Sequence, residues 1–418
     1  MRMKFNKSGQ LLLVSAVSLL AAALVTACSS SLTVDFVFVT SSKAAGPNSY
    51  GEIDVYEINS ESGFMRQIPT SPFPSGGRNP VAEAVSADST NLYVVNQDDN
   101  TIVQFVIGND GKVYPQNTVN TPGIFPLAAA VGGPNLFVLD SYQPLPNCSP
   151  ASPCSGSIAV YPVLTLAQAQ ALTPSQPADT LGTPLANGNL NYWPLALTAT
   201  NAKDVILPTG VTVLKSGTEL FVSAYDTTAK TGYVFGFSVS PASAGIPQGT
   251  LTPLNNGLPF AAGTQPSAIA SDPTSSFVYV TDQAASTVLG FSVSGSGLTP
   301  IAGSPFPAGN QPSAILVNPT GGYAYLTDAE DGNVSAYSIA SNGALTRIGS
   351  FATGTQPVAI GIDPNMHQFL YTANFLGSDV SGFEINSDGS LLGSQSSPYP
   401  SNAQPTAVVA IPHNGSTK

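Results

Sequence analysis

The sequence predicts an all-β fold: a seven-bladed β-propeller with four-stranded blades, its ring closed by the N- and C-terminal strands. Three observations carry this. The stretch GTQPSAIASDPTSSFVYVTD at residues 263–282 returns as GNQPSAILVNPTGGYAYLTD at 309–328 and as GTQPVAIGIDPNMHQFLYTAN at 354–374. Weaker copies stand at 78–96, 125–140 and 207–224, and a fragment, QPTAVVAIP, closes the series at 404–412. Each copy hangs on a proline, and Pro266, Pro312, Pro357 and Pro405 stand 46, 45 and 48 residues apart. A period near 46 with four strands per unit is the mark of a propeller blade. Composition agrees: only 9% of residues are charged, while Gly (39) and Pro (36) abound, as in short strands joined by tight turns.

Within a unit the strands read in order. PSAIAS is small and apolar, and a DPT turn leads to FVYVTD. STVLGFSV follows, and SGSGL turns into LTPIAGS. Apolar residues alternating between Gly, Pro, Asn and Asp are the strand signal. The first strand lies nearest the axis, where sheets crowd, which explains Ser267, Ala268 and Ala270. The aromatic residues of the second strands, such as Phe137, Phe221, Tyr279, Tyr325 and Tyr371, are read as packing between blades. Seven proline-led strands give seven blades, the others being led by Pro80, Pro126 and Pro208. VDFVFVT at 34–40 has the character of a second strand with no first strand before it, and QPTAVVAIP is a first strand with nothing after it. Together they complete one blade and leave no free edge.

Ahead of the propeller, MRMKFNKSGQ and the apolar run LLLVSAVSLLAAALV make an export signal, residues 1–27. The ending VTAC resembles the bacterial lipobox, which implies cleavage before Cys28 and a lipid on it; an ordinary secretory signal is the alternative. Residues 28–33 then form a tether, 34–412 the propeller and 413–418 a tail. Ser29 favours the outer membrane of the cell envelope, reached through the lipid anchor. Removing residues 1–27 takes away Arg2, Lys4 and Lys7 and no acid, leaving nine basic against 24 acidic residues. So acidic a surface repels nucleic acid, which is excluded as a partner. In an exported chain Cys148 and Cys154, in PNCSPASPC, are expected to form a disulfide, with metal binding as the alternative.

The Pro126 to Pro208 interval is too long by most of a blade. Its insertions, about 141–157 and 173–206, are both expected over one face, the mouth. There a short disulfide loop would stand beside Tyr192 and Trp193, with the Trp193 ring offered for stacking. The same face should carry a polar row: Asn79, Gln265, Gln311, Gln356 and Gln404 before the prolines, and Ser41, Asn96, Asp140, Asp282, Asp328 and Asn374 after the second strands. Turn chemistry explains such residues. The functional alternative is a ring for a neutral sugar-like ligand, a protein partner or Ca²⁺, no other cofactor being expected. Glu83 interrupts an inner strand where other blades have Ile269, Ile315 or Ile360. A carboxylate there must be paired or neutral. Arg78 is the nearest cation in sequence, so the two are expected to pair, and they are the candidates for any catalytic chemistry.

YVTD, YLTD and YVVN are similar to the Tyr-Val-Thr-Asn repeats of a propeller family. GLTPIAGSPFPAGNQP and GALTRIGSFATGTQP resemble blade junctions of the seven-bladed lactonase family, which includes a bacterial 6-phosphogluconolactonase. The resemblance covers roughly residues 34–412 and is clearest from 263 onward. It implies a sugar lactone opened by water, helped by His, Arg and Glu in the central funnel. The family's Pro-Arg-His step reads here Pro266-Ser267-Ala268, Pro312-Ser313-Ala314, Pro357-Val358-Ala359 and Pro405-Thr406-Ala407. Its Asn-Glu pair reads Asp282-Gln283, Asp328-Ala329 and Asn374-Phe375. The two histidines, His367 and His413, fall in a turn of the opposite face and in the tail. A hydrolase needs a base and an oxyanion donor. The expectation is therefore an envelope lipoprotein whose propeller binds a ligand or partner, or acts as a scaffold, without catalysis. A lactonase-type hydrolase with displaced catalytic residues is the alternative.

Overall fold

Five of the seven inner strands begin at their prolines, because a proline can start a strand without leaving a ladder donor unused, while Pro126 and Pro208 stand two residues inside theirs. In blade 5 the strands Pro266–Ser271, Phe277–Asp282, Thr287–Ser294 and Gly297–Pro300 run antiparallel in that spatial order. The computed structural model describes residues 33–45, 48–197, 204–243, 245–295 and 297–413. Cys28, the expected export signal of residues 1–27 and residues 414–418 lie outside them, as do residues 198–203 of the second insertion. The described residues form seven such sheets, with inner strands starting at Pro80, Ile124, Ile206, Pro266, Pro312, Pro357 and Pro405.

Closure follows the expected pattern. Pro405–Pro412 pairs with Thr33–Ala45, in register from Asp35 opposite Pro412 to Ser41 opposite Pro405. Blade 1 is then completed by Tyr50–Asn59 and Met65–Gln67. A bulge follows the proline in all seven blades, for example between Pro266 and Ala268. The bulged Ser267 and Ser313 hydroxyls donate to the Pro312 and Pro357 carbonyls of the next blade. Thr406 does the same across the closure, to the Pro80 carbonyl at 2.8 Å.

The core lies between blades. Among the described residues there are seven apolar clusters, one per junction, each receiving the central aromatic of a second strand. Phe38, Tyr93, Phe137, Phe221, Tyr279, Tyr325 and Tyr371 are all fully buried there. Each is worth about 1.5–3 kcal/mol of apolar burial. The expectation that these rings pack blade on blade is met.

Blade 3 departs from the expected placement of its insertions. Cys148 and Cys154 are bonded, with Cα atoms 5.5 Å apart, in the connection between Asn135–Tyr142 and Ser157–Pro162 on the mouth face. The fourth strand, however, is only Trp193–Pro194. Residues 163–192 therefore join the third strand to the fourth, on the opposite face, where the Val163 N–H donates to Pro134 in the blade's first turn (2.8 Å). Of the described residues after Pro194, Leu195 lies on the mouth side, where its N–H donates to the Gly156 carbonyl (3.0 Å). The two insertions do not converge. Trp193 is 4% exposed, sits in the cluster between blades 3 and 4, and donates its indole N–H to the Leu251 carbonyl at 2.9 Å. It has no free face on which a ligand could stack, and Tyr192 is buried beside it.

Candidate functional site

The mouth is framed by the connections between blades and those between second and third strands. Asn96, Asp140, Asp282, Asp328 and Asn374 end their second strands there, but each is buried, at most 1% exposed. The Asp282 carboxylate accepts N–H groups from Thr264 and Gln265 in the incoming connection and from Ala284 and Ala285 in its own turn. Asp328 accepts the Gly309 N–H (3.1 Å) and the Ser335 hydroxyl (2.6 Å). Asn374 donates to Asp379 and Ser381. Asp282, Asp328 and Asn374 are clamps for the chain above them, as turn chemistry requires, whereas neither polar atom of the Asn96 side chain has a partner. The glycine of each GTQP or GNQP step has the same cause: a Cβ on Gly309 would stand 2.4 Å from the Asp328 carboxyl. Asp226 is the blade 4 clamp, accepting from Thr228 and Ala229; the missed signal was the same strand-final acid in SAYD.

Asp140 is the irregular clamp. The Gly123 N–H (3.1 Å) reaches its Oδ2, and its Oδ1 has no hydrogen bond of ordinary geometry. Burial pushes this carboxyl up to about 7, with Thr121 and Gly123 opposing.

The residues before the prolines behave differently. Asn79, Gln311 and Gln356 have positive φ (51°, 51° and 55°) and turn their carbonyls to the second-strand turns. The N–H of Gln97, Gln283, Ala329, Phe375 and Ser42 donates to Asn79, Gln265, Gln311, Gln356 and Gln404 in turn. The Asn79 side chain is engaged with Gln97 and Asp98. The side-chain amides of Gln265, Gln311, Gln356 and Gln404 make no hydrogen bond among the described residues, and Gln311 and Gln404 are exposed.

Glu83 and Arg78 do not pair. Arg78 stays exposed at the mouth, its guanidinium bonded to Asp99 (2.6 Å), an acid that the second-to-third turn of blade 2 brings alongside. Glu83 turns instead into the seam between blades 1 and 2, opposite Val94 and beside Val409. Neither carboxyl oxygen makes a hydrogen bond of ordinary geometry. Burial raises this carboxyl well above its usual value, only partly opposed by the Val409 backbone N–H, so it is held neutral. His367 lies on the opposite face, its N–H donating to Asp363, and His413 packs edge-on against Phe36.

No curated protein of known function matches the sequence significantly. Among solved structures, a putative 6-phosphogluconolactonase of Bacteroides fragilis is 19% identical, covers 91% of this chain and 98% of its own, and superposes with a TM-score of 0.67. The Pseudomonas aeruginosa periplasmic gluconolactonase is 18% identical, with 91% and 99% covered and a TM-score of 0.66. At such identity the likeness is one of fold. Residues 303–407 match the family model described as lactonase, 7-bladed β-propeller, so this quarter of the chain is similar to that family, and the ring described above makes the chain a seven-bladed β-propeller.

Proposed function

We propose that this propeller is an exported, lipid-anchored module that binds a neutral, hydroxyl-rich ligand or a partner displaying one, and does not hydrolyse it. The observation that carries this reading is the set of unengaged amides at the mouth, on Gln265, Gln311, Gln356 and Gln404. Each amide offers both donors and an acceptor, the complement of a sugar hydroxyl. The Asp282 and Asp328 carboxylates are occupied with backbone N–H groups, and Arg78 is held by Asp99. That engagement of Asp282, Asp328 and Arg78 supports binding over hydrolysis.

Titration of the purified chain with glucose and with neutral oligosaccharides, in parallel with a glucono-lactone hydrolysis assay, tests it. Saturable binding without turnover, lost in a Gln311→Ala, Gln356→Ala pair, is expected. Turnover abolished by Glu83→Gln would overturn it in favour of the second reading, lactone hydrolysis. That reading is favoured by the named gluconolactonases of similar fold and by the neutral Glu83 carboxyl. Anchoring rests on VTAC ahead of Ser29, and Cys28→Ala should move the protein from the membrane pellet to the soluble fraction.

A further inference from the structure

A regular junction is finished by its tyrosine. The Tyr279 hydroxyl donates to the Gly343 carbonyl in the outer turn of the next blade (2.8 Å), and Tyr325 donates likewise to Gly389 (3.1 Å). Tyr93 holds the same place in blade 2 and is fully buried, yet its hydroxyl has no hydrogen-bond partner. The turn it would meet, in blade 3, is replaced by residues 163–192. Tyr371 also lacks a partner, but there the buried Asp35 carboxyl stands near enough to act on it.

Residues 163–192 are docked in a way that keeps them off Tyr93. Opposite Tyr93 in register stands Gln104, where blades 4 to 7 have Gly236, Gly290, Ala336 and Gly382. Gln104 is fully buried; its amide donates to the Asp179 carbonyl (2.7 Å) and accepts the Leu181 N–H (2.9 Å). Gln116 and Asn117 add bonds to Thr180 and Leu181. Below this roof lies a cavity of about 320 Å³, lined among others by Asp88, Tyr93, Val131, Val163 and Asp179. That volume is at the small end for ligand sites.

The chemistry of the lining is one-sided. The Ser86 hydroxyl is given to Asp88 (2.6 Å) and the Thr165 hydroxyl to Gln168 (2.9 Å). What remains is acceptor-rich: the Asp88 carboxylate, steadied by Ser86 and Thr90, and the Asp179 carboxylate. Burial first, then the charges of Asp88 and Asp179, raise the Tyr93 phenol, which places both acids within electrical reach of one buried hydroxyl. No lysine, arginine or histidine lines the cavity. A ligand must therefore bring its own donors. An ammonium brings three, whereas a divalent metal needs six or more oxygens, and among the described residues no three metal-ligating side chains converge.

We propose that this cavity, on the face away from the mouth, binds a small organic cation. Its ammonium lies between Asp88 and Asp179, its apolar body against Val131 and Val163, and the Tyr93 hydroxyl is the contact at the floor. The acidic chain as a whole raises the local concentration of such ligands.

Calorimetry with benzylamine as probe tests this, with benzyl alcohol and benzoate as neutral and anionic comparators. The amine should bind best and benzoate not at all. Asp88→Asn and Asp179→Asn should each weaken the amine roughly tenfold. Both side chains are exposed, so these variants keep the fold. Tyr93→Phe should weaken the amine several-fold, and Gln311→Ala, at the mouth, should leave it unchanged. No heat of binding at about 10 mM probe, far above the micromolar to millimolar range of small-ligand sites, would overturn the proposal. Equal affinity in the Asp88→Asn, Asp179→Asn double variant would do so too, as would displacement of the amine by Ca²⁺. Loss of sugar binding at the mouth would not bear on any of these readings, so the two sites fail separately.

Discussion

Blade 5 and the junction of blades 2 and 3 share one strand pattern but treat their buried polar atoms differently. In blade 5 Asp282 accepts four backbone N–H groups and Tyr279 donates to Gly343. Around blades 2 and 3, both Glu83 oxygens, the Tyr93 hydroxyl, both polar atoms of the Asn96 side chain, Asp140 Oδ1 and the Ser157 hydroxyl are buried without partners. Native structures hold few such groups, and each calls for a reason. In blade 5, where the repeat is faithful, polar side chains serve their own turns. Where it decays, polar groups remain that no turn uses, and there the candidate cavity lies.

The harshest way to break this comparison is to open the ring. Deleting residues 404–418 removes Pro405–Pro412, with Val408 and Ile411 from two core clusters, and bares an edge on each side of the gap. No soluble, cooperatively melting protein is expected. An unchanged melt would mean that the ring closes by some other pairing.

Next come the clamps. Asp282→Ala strands four donors and should cost about 2–4 kcal/mol in urea denaturation. Asp140→Asn, where one oxygen already lacks a partner, should cost less than about 1 kcal/mol at neutral pH. Equal losses would erase the distinction between regular and irregular blades.

A third test uses pH. Burial raises the carboxyls of Asp35 to about 8, Asp140 to about 7 and Asp328 to about 6, and raises that of Glu83. An acid raised in the folded state binds more protons folded than unfolded between its two pKa values. Its stabilising contribution is complete below the unfolded value and is lost as pH rises through the folded one. The melting temperature should therefore fall from pH 5 to pH 8. Glu83→Ile, the residue type of blades 5 to 7, should flatten that fall and add about 1–3 kcal/mol at pH 8. A melting temperature rising over this range would refute the assignment.

The finest test compares tyrosines. Tyr279→Phe should cost about 1 kcal/mol, while Tyr93→Phe, which removes an unpartnered hydroxyl, should be neutral or slightly stabilising without ligand. Equal costs would show that Tyr93 has a partner after all.

The period, the seven blades and the closing pair were legible because each blade repeats the same burial problem, and repetition amplifies a weak strand signal. The clamps were legible as turn chemistry from the strand-final Asp and Asn. The fate of residues 163–192 was not. Their strand, Trp193–Pro194, is two residues long and carries no periodicity, so the insertion was assigned to the wrong side of it and hence to the wrong face. Arg78 was paired with Glu83 because they are near in sequence, whereas Asp99 reaches it through a turn 21 residues on. Gln104 could have been found: it is a buried amide at a position that glycine or alanine holds in four other blades. Only the register, once drawn, makes it stand out.

The closing blade also sets a clock. Thr40 meets Thr406 across 366 residues, so its strand is among the first made and its partner among the last. At the usual 5–20 residues per second, that edge waits roughly 20–70 s for its mate. During this interval the second-strand sequence VDFVFVT is an open template, and a neighbouring nascent chain could add to it. Asp35, an acid destined for a fully buried place at the start of that strand, makes a premature partner costly because it would have to enclose a charge. Burial beside Asp363 in the finished ring is what lets that carboxyl take up a proton, so the safeguard is switched off by correct assembly itself.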